Sequence, residues 1–123
     1  DVCSSDLEII CSVISALSTH NAVTCAVKLK DTVKRVDENG NVLSTPDRNT
    51  LVAVQTPQGV NVSDYRAALE SSVDLGRFTD DMSVMEAAGH KPFTVPGSYE
   101  NIKVTTPEDI ALAEYLILKD EKE

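Results

Sequence analysis

Six side chains stand at the ends of expected elements with the chemistry to hold a phosphorylated, hydroxyl-rich ligand: Thr32, Arg48, Thr56, Thr79, Lys103 and Thr105. Hydroxyls suit polyol oxygens, and Arg and Lys make charge-assisted bonds to phosphate. Each also has a plainer reading, since Thr79 can simply cap a helix and Lys103 can be a solvated surface charge. Ile102 and Val104 flank Lys103, so strand alternation would turn Lys103 toward a site while its neighbours face the core. Other chemistry is hard to find. The phosphate loops GxGxxG and GxxxxGK[ST] are absent and the five glycines are scattered. Neither a Ser/His/Asp nor a Cys/His set occurs in recognisable context. His20 and His90 fall near expected helix ends and read as structural or exposed.

The elements that must position these residues follow an α/β rhythm. Residues 8–19 carry apolar positions 9, 10, 13, 14 and 17, a helical stripe. Residues 22–29 are short and β-branched-rich, a strand. Residues 32–45 place two polar β-rich arms around Asn39-Gly40, which predicts a hairpin projecting from the body. A strand is expected over 51–54, then a polar loop over 55–59. A helix capped by Ser63 should run to about Asp74, and a second, capped by Thr79, should end at Gly89. Short strands are expected at 93–95 and 102–104. Thr106-Pro107-Glu108-Asp109 then has the cap, first-turn proline and acids of a helix start, with Ile110, Leu112, Ala113, Leu116 and Ile117 as its apolar side. Short connections and the absence of repeats predict one domain over residues 8–123. DVCSSDL (residues 1–7) matches the translation of a common sequencing adapter and is expected to be non-native.

The net charge of −9 over 123 residues disfavours broad nucleic-acid or anionic-membrane binding. It leaves room for one basic pocket: Lys28, Lys30, Lys34, Arg35 and Arg48 are five of the eleven basic residues. No apolar run approaches the roughly 18 residues of a membrane span, and no basic-then-apolar opening suggests export. Cys3, Cys11 and Cys25 lack CxxC or Cys/His spacing, which predicts free thiols in a reducing cytoplasm.

Four stretches in order, KDTVKRVDENGNVLSTPDRNTL, AVQTPQ, FTDDMSVMEAAGH and VPGSYENIKVTTPEDIALAEYL, resemble the 2-C-methyl-D-erythritol 4-phosphate cytidylyltransferase family across residues 22–118. The resemblance implies a Rossmann-like nucleotidyltransferase fold and a homodimer. The implied reaction is Mg²⁺-dependent transfer of a cytidylyl group from CTP to the polyol phosphate, with release of pyrophosphate, in the non-mevalonate isoprenoid pathway. It implies that Arg48 and Lys103 position the substrate phosphate and that Thr32, Thr56, Thr79 and Thr105 line the same site. The hairpin over about 31–48 would be the arm inserted into the partner subunit, bringing Thr32 and Arg48 to the neighbour's site. The family's CTP-binding half, with its glycine-rich loop and metal ligands, has no counterpart in the 123 residues. The resemblance therefore predicts no cytidylyl transfer by this chain alone, and an exposed apolar sheet edge. Two alternatives remain open at this point: a ribitol-5-phosphate cytidylyltransferase, or a non-catalytic α/β interaction module.

Overall fold

The computed structural model describes residues 2–72 and 74–122. Helix α1 (Val2–Ala16) leads into strand β1 (Ala22–Lys28). A small hairpin follows, β2 (Arg35–Val36) and β3 (Val42–Ser44), then strand β4 (Val52–Val60). Helices α2 (Val62–Ser71) and α3 (Asp81–Ala87), strand β5 (Phe93–Pro96) and helix α4 (Pro107–Glu121) complete the order. The main sheet is β4-β1-β5, with β1 antiparallel to β4 and parallel to β5.

Strand β1 is the centre of the core because both its faces are covered. Alternate side chains diverge to the two faces. Val23 and Cys25 pack with Ile9 and Val13 of α1 and with Val95. Ala22 packs on the other face with Ala68, Met82, Val84 and Met85. The predicted α1 stripe divides accordingly: Ile9 and Val13 are buried, while Ile10 and Ile14 look outward. The helix begins earlier than expected. Of the segment expected to be non-native, Asp1 lies outside the described residues, and Val2 to Leu7 are helical.

Strand β4 corrects the expected strand-then-loop. It runs unbroken through Gln55–Gly59. Proline is tolerated because the register breaks there: Thr24 pairs with Gln58 and Ala26 with Val54, so three residues of β4 oppose Cys25. The Thr56-Pro57 peptide is cis. Side chains satisfy the loosened ladder, with the Thr24 hydroxyl donating to the Gln55 carbonyl at 3.0 Å and the Cys25 thiol donating to that of Pro57 at 3.6 Å. Burial raises the Cys25 thiol pKa, partly offset by a backbone hydrogen bond. Cys11 and Cys25 are free thiols.

Two caps also differ from expectation. Asn61, not Ser63, caps α2, accepting from the Asp64 N–H, and Asp80, not Thr79, caps α3. The amide of Asn61, two residues before Ser63, and the carboxylate of Asp80, one residue after Thr79, take the capping role from the hydroxyls. Helix α2 stops at Ser71, and Val73, inside the expected helix, lies outside the described residues. Gly89 does follow α3 with φ +90°.

The hairpin forms its own two-stranded sheet, apart from the main one. Its turn is organised by Asp37, whose carboxylate accepts from the Asn39 and Asn41 backbone at 2.9 and 2.8 Å. Gly40 takes φ +87°, a conformation that suits glycine best. Val36, Val42 and Leu43 are all exposed.

Helix α4 starts as expected, with a Thr106–Asp109 capping box and Pro107 in its first turn. Its apolar side, however, joins no core. None of its residues is buried, and Ile110, Leu112, Ile117 and Leu118 are at least 44% exposed. Residues 102–104 are irregular rather than a strand, so alternation does not set the direction of Lys103. The reason for both lies in the sheet: β5 already ends at Pro96, and no further strand pairs beyond it among the described residues.

Candidate functional site

The bulge in β4, the N-terminus of α3 and the irregular segment after residue 100 meet around a cavity of about 480 Å³. Thr56 comes from the bulge, Thr79 and Asp80 from the α3 start, and Asn101, Lys103 and Asp109 from the last segment and α4. Bulges commonly re-aim a side chain beside a site, which is what this one does for Thr56.

Three of the six expected residues are therefore brought together: Thr56, Thr79 and Lys103. The other three are not. Thr105 gives both its hydroxyl and its N–H to Asp109, each at 3.1 Å, and serves the α4 cap. Arg48 lines a separate cavity of about 570 Å³ with Lys28 and Lys30, its guanidinium donating to the Lys30 carbonyl at 2.8 Å. Lys30 in turn lies over the Tyr99 ring, 3.9 Å from its centroid. Thr32 is exposed at the base of the hairpin and lines neither cavity.

The charge balance of the main cavity is mixed. Lys103 is its single cation, and it has no hydrogen-bond or ion-pair partner among the described residues. Asp80 and Asp109 supply two carboxylates. Burial works against ionisation of Asp80, but hydrogen bonds from the Ser83 hydroxyl and N–H and from Gln58 outweigh it and lower its pKa. Asp109 is lowered by the Thr105 N–H, then by Thr106 and the Thr105 hydroxyl. Both are carboxylates at neutral pH, each already holding a helix start. A pocket with one free ammonium, two threonine hydroxyls and the side-chain amide of Gln58 offers one phosphate contact and several hydroxyl contacts.

The family model described as 2-C-methyl-D-erythritol 4-phosphate cytidylyltransferase matches residues 4–119. The chain belongs to this family. A relative from Bacillus cereus carrying that description is 45% identical over 118 residues, covering 94% of this chain and 51% of its own length. One from Synechococcus elongatus is 46% identical over 109 residues, covering 85% and 45%. Among solved structures, 4-diphosphocytidyl-2C-methyl-D-erythritol synthase from Anaerococcus prevotii superposes with a TM-score of 0.82 at 36% identity, covering 90% of this chain and 52% of that one. The enzyme from Thermus thermophilus gives 0.75 at 26% identity, covering 89% and 54%. The chain thus spans about half the length of the curated relatives it matches, and its architecture is part of the family's Rossmann-like nucleotidyltransferase fold.

Sequence reasoning missed Gln55, Asp80 and Asn101 as site residues. Asp80 follows Thr79, the expected cap, and its carboxylate caps α3 while lining the cavity. Gln55 and Asn101 lie inside the motif stretches, and nothing in their spacing announces that they meet across 46 residues.

Proposed function

We propose that this chain is the acceptor-side portion of a cytidylyltransferase that joins CTP to 2-C-methyl-D-erythritol 4-phosphate. The observation that carries the reading is the convergence of Thr56, Thr79 and Lys103, from three separated segments, on one cavity in a chain of this family. Lys103 holds the acceptor phosphate, and the threonine hydroxyls and the Gln58 amide hold the polyol. A phosphate oxygen of the acceptor attacks the α-phosphorus of CTP. The bond from that phosphorus to the bridging oxygen breaks, and pyrophosphate leaves with its electron pair. The nucleophile is already an oxyanion, so no general base is needed, and the protein contributes placement and charge neutralisation.

One lysine is little cationic charge for this chemistry, and Arg48 is the candidate that the family resemblance supplies for more. Its separation from the Lys103 cavity supports a dimer in which the hairpin over 31–48 carries Thr32 and Arg48 to the neighbouring site. Exposed Val36, Val42 and Leu43 give that arm an apolar surface to bury. Magnesium does not fit the residues present: Asp80 and Asp109 are engaged in caps, and among the described residues no three His, Cys, Asp or Glu groups gather to hold an ion. Its ligands belong, on this reading, to the portion of the relatives that the chain does not span. Free thiols at Cys11 and Cys25 accord with a cytoplasmic setting. No helix among the described residues is long and apolar enough to cross a membrane.

Titrating the chain with 2-C-methyl-D-erythritol 4-phosphate, ribitol 5-phosphate and the unphosphorylated polyol tests the proposal. Expected is saturable binding of the first, weaker binding of the second, and a large but still measurable weakening of both on Lys103→Ala. Equal binding of the unphosphorylated polyol, or an unchanged affinity in Lys103→Ala, overturns it.

A further inference from the structure

Lys103 sits in neither a strand nor a helix, yet a phosphate-holding ammonium must be placed to within about half an ångström to be useful. The contacts around it show what places it. The Asn101 side-chain amide donates to the Thr56 carbonyl at 2.7 Å and reaches the Gln55 side-chain oxygen at 3.4 Å. Gln55 answers from β4: its amide donates to the Ser98 carbonyl at 2.8 Å, and its oxygen accepts from the Ser98 N–H at 3.3 Å. The two amides form a reciprocal clasp between the bulge and the loop that follows β5.

The surrounding chain is arranged to admit that clasp. The Gly97 N–H donates to the Ala26 carbonyl at 2.8 Å, carrying the β5 pairing one residue further. A Cβ at Gly97 would overlap the Gln55 side-chain oxygen. A turn then brings the Asn101 N–H back to the Ser98 carbonyl at 3.0 Å. Beyond the clasp, Thr105 is tied to Asp109. Lys103 is thus the midpoint of a short span anchored at Asn101 and at Thr105, and each residue adds at most about 3.6 Å of reach. The carbonyl that Asn101 grips belongs to Thr56, whose residue lines the same cavity as Lys103. The clasp therefore sets the separation of two site residues directly.

We infer that Gln55 and Asn101 are positioning residues for Lys103, holding its loop to the β4 bulge so that the ammonium and Thr56 face one ligand. The inference rests on the proposed reading of Lys103 as the phosphate-holding residue.

The test uses the isotope-labelled 123-residue chain with Asn101→Ala, with Gln55→Met, which keeps the volume but removes its side-chain hydrogen bonds to Ser98 and Asn101, and with Lys103→Ala alone and combined with Asn101→Ala. Backbone relaxation at Lys103 is read in the absence of ligand, and the affinity for 2-C-methyl-D-erythritol 4-phosphate by titration. Expected is a fall in the Lys103 order parameter from about 0.85 toward 0.6 in either clasp variant. Affinity should weaken about ten-fold in Asn101→Ala, with no further loss when that change is added to Lys103→Ala, because coupled residues are non-additive. An unchanged order parameter in both clasp variants overturns the inference, as does a full additive loss in the double variant. If Lys103→Ala alone leaves the affinity unchanged, the phosphate reading fails, and the order parameter still decides whether the clasp holds the loop. Asn101→Asp, which keeps the shape but cannot donate, should behave as Asn101→Ala does. Retained order in Asn101→Asp counts against the inference, and thermal melts identify any variant that is unfolded.

Discussion

The Asp109 carboxylate accepts from both the backbone N–H and the hydroxyl of Thr105, each at 3.1 Å, and from the Thr106 N–H at 3.0 Å. Two residues that the sequence suggests for different tasks, a site threonine and a helix-start acid, are one hydrogen-bonded unit. Thr105 is thereby committed to the origin of α4, and Lys103 stands alone as the free polar side chain of its segment.

Because α4 has no buried residue, its cap is a large part of what holds its first turn. Thr106→Ala should cost the helix about 1 kcal/mol. The loss should appear as reduced helicity by circular dichroism with little change in the main melting transition. A full-size drop in melting temperature would mean that α4 is packed more tightly than its exposure indicates.

Acid should loosen the site from its caps. Asp80 and Asp109 both have folded pKa values below the ordinary 3.8. Their contribution to stability is therefore complete above that ordinary value and is lost as pH falls through the lower folded values. Asp37 in the hairpin turn behaves alike, held down by Asn41 and Asn39. Unfolding measured against pH should show an acid limb that Asp80→Asn makes shallower. An acid limb of the same steepness in that variant would remove Asp80 from the account.

Core and α4 should respond unequally to substitution. Met85 is fully buried between β1 and the helices, so Met85→Ala should cost about 3 kcal/mol in denaturant unfolding. Leu118 on α4 is 56% exposed, and Leu118→Ser should change stability by less than about 0.5 kcal/mol. Comparable losses at the two positions would show that α4 has a covered face.

The hairpin is the proposed dimer arm, and Leu43, 61% exposed, is its most exposed large apolar side chain. Leu43→Asp should shift the sedimenting species toward monomer while leaving the melting transition in place. A dimer that survives the change, or a chain that is monomeric without it, argues against the arm.

Much of the architecture was legible because it depends on local causes. The α1 stripe, the strand at 22–28, the Asn-Gly turn and the Thr106-Pro107 helix start each follow from periodicity or from hydrogen bonds within a few residues. The errors fell where distant residues intervene. Gln55–Gly59 looks like a loop because proline normally ends a strand, but Cys25 and Thr24 of the neighbouring strand satisfy the bulge. Residues 102–104 look like a strand because Ile102 and Val104 are apolar and β-branched around Lys103, but among the described residues no neighbouring strand is there to pair with them.

By itself the sequence determined the family, through four motif stretches in order, and with it the residue types a polyol phosphate needs. Only the tertiary structure decided which of them meet. Thr56, Thr79 and Lys103 share a cavity, Arg48 faces another with Lys28 and Lys30, and Thr105 is spent on Asp109. The physical reason is that a hydroxyl or an ammonium is equally suited to capping, solvation or ligand binding. The choice is made by whichever donor or acceptor the fold brings within about 3 Å, and for Lys103 that choice is made by two amides 46 residues apart.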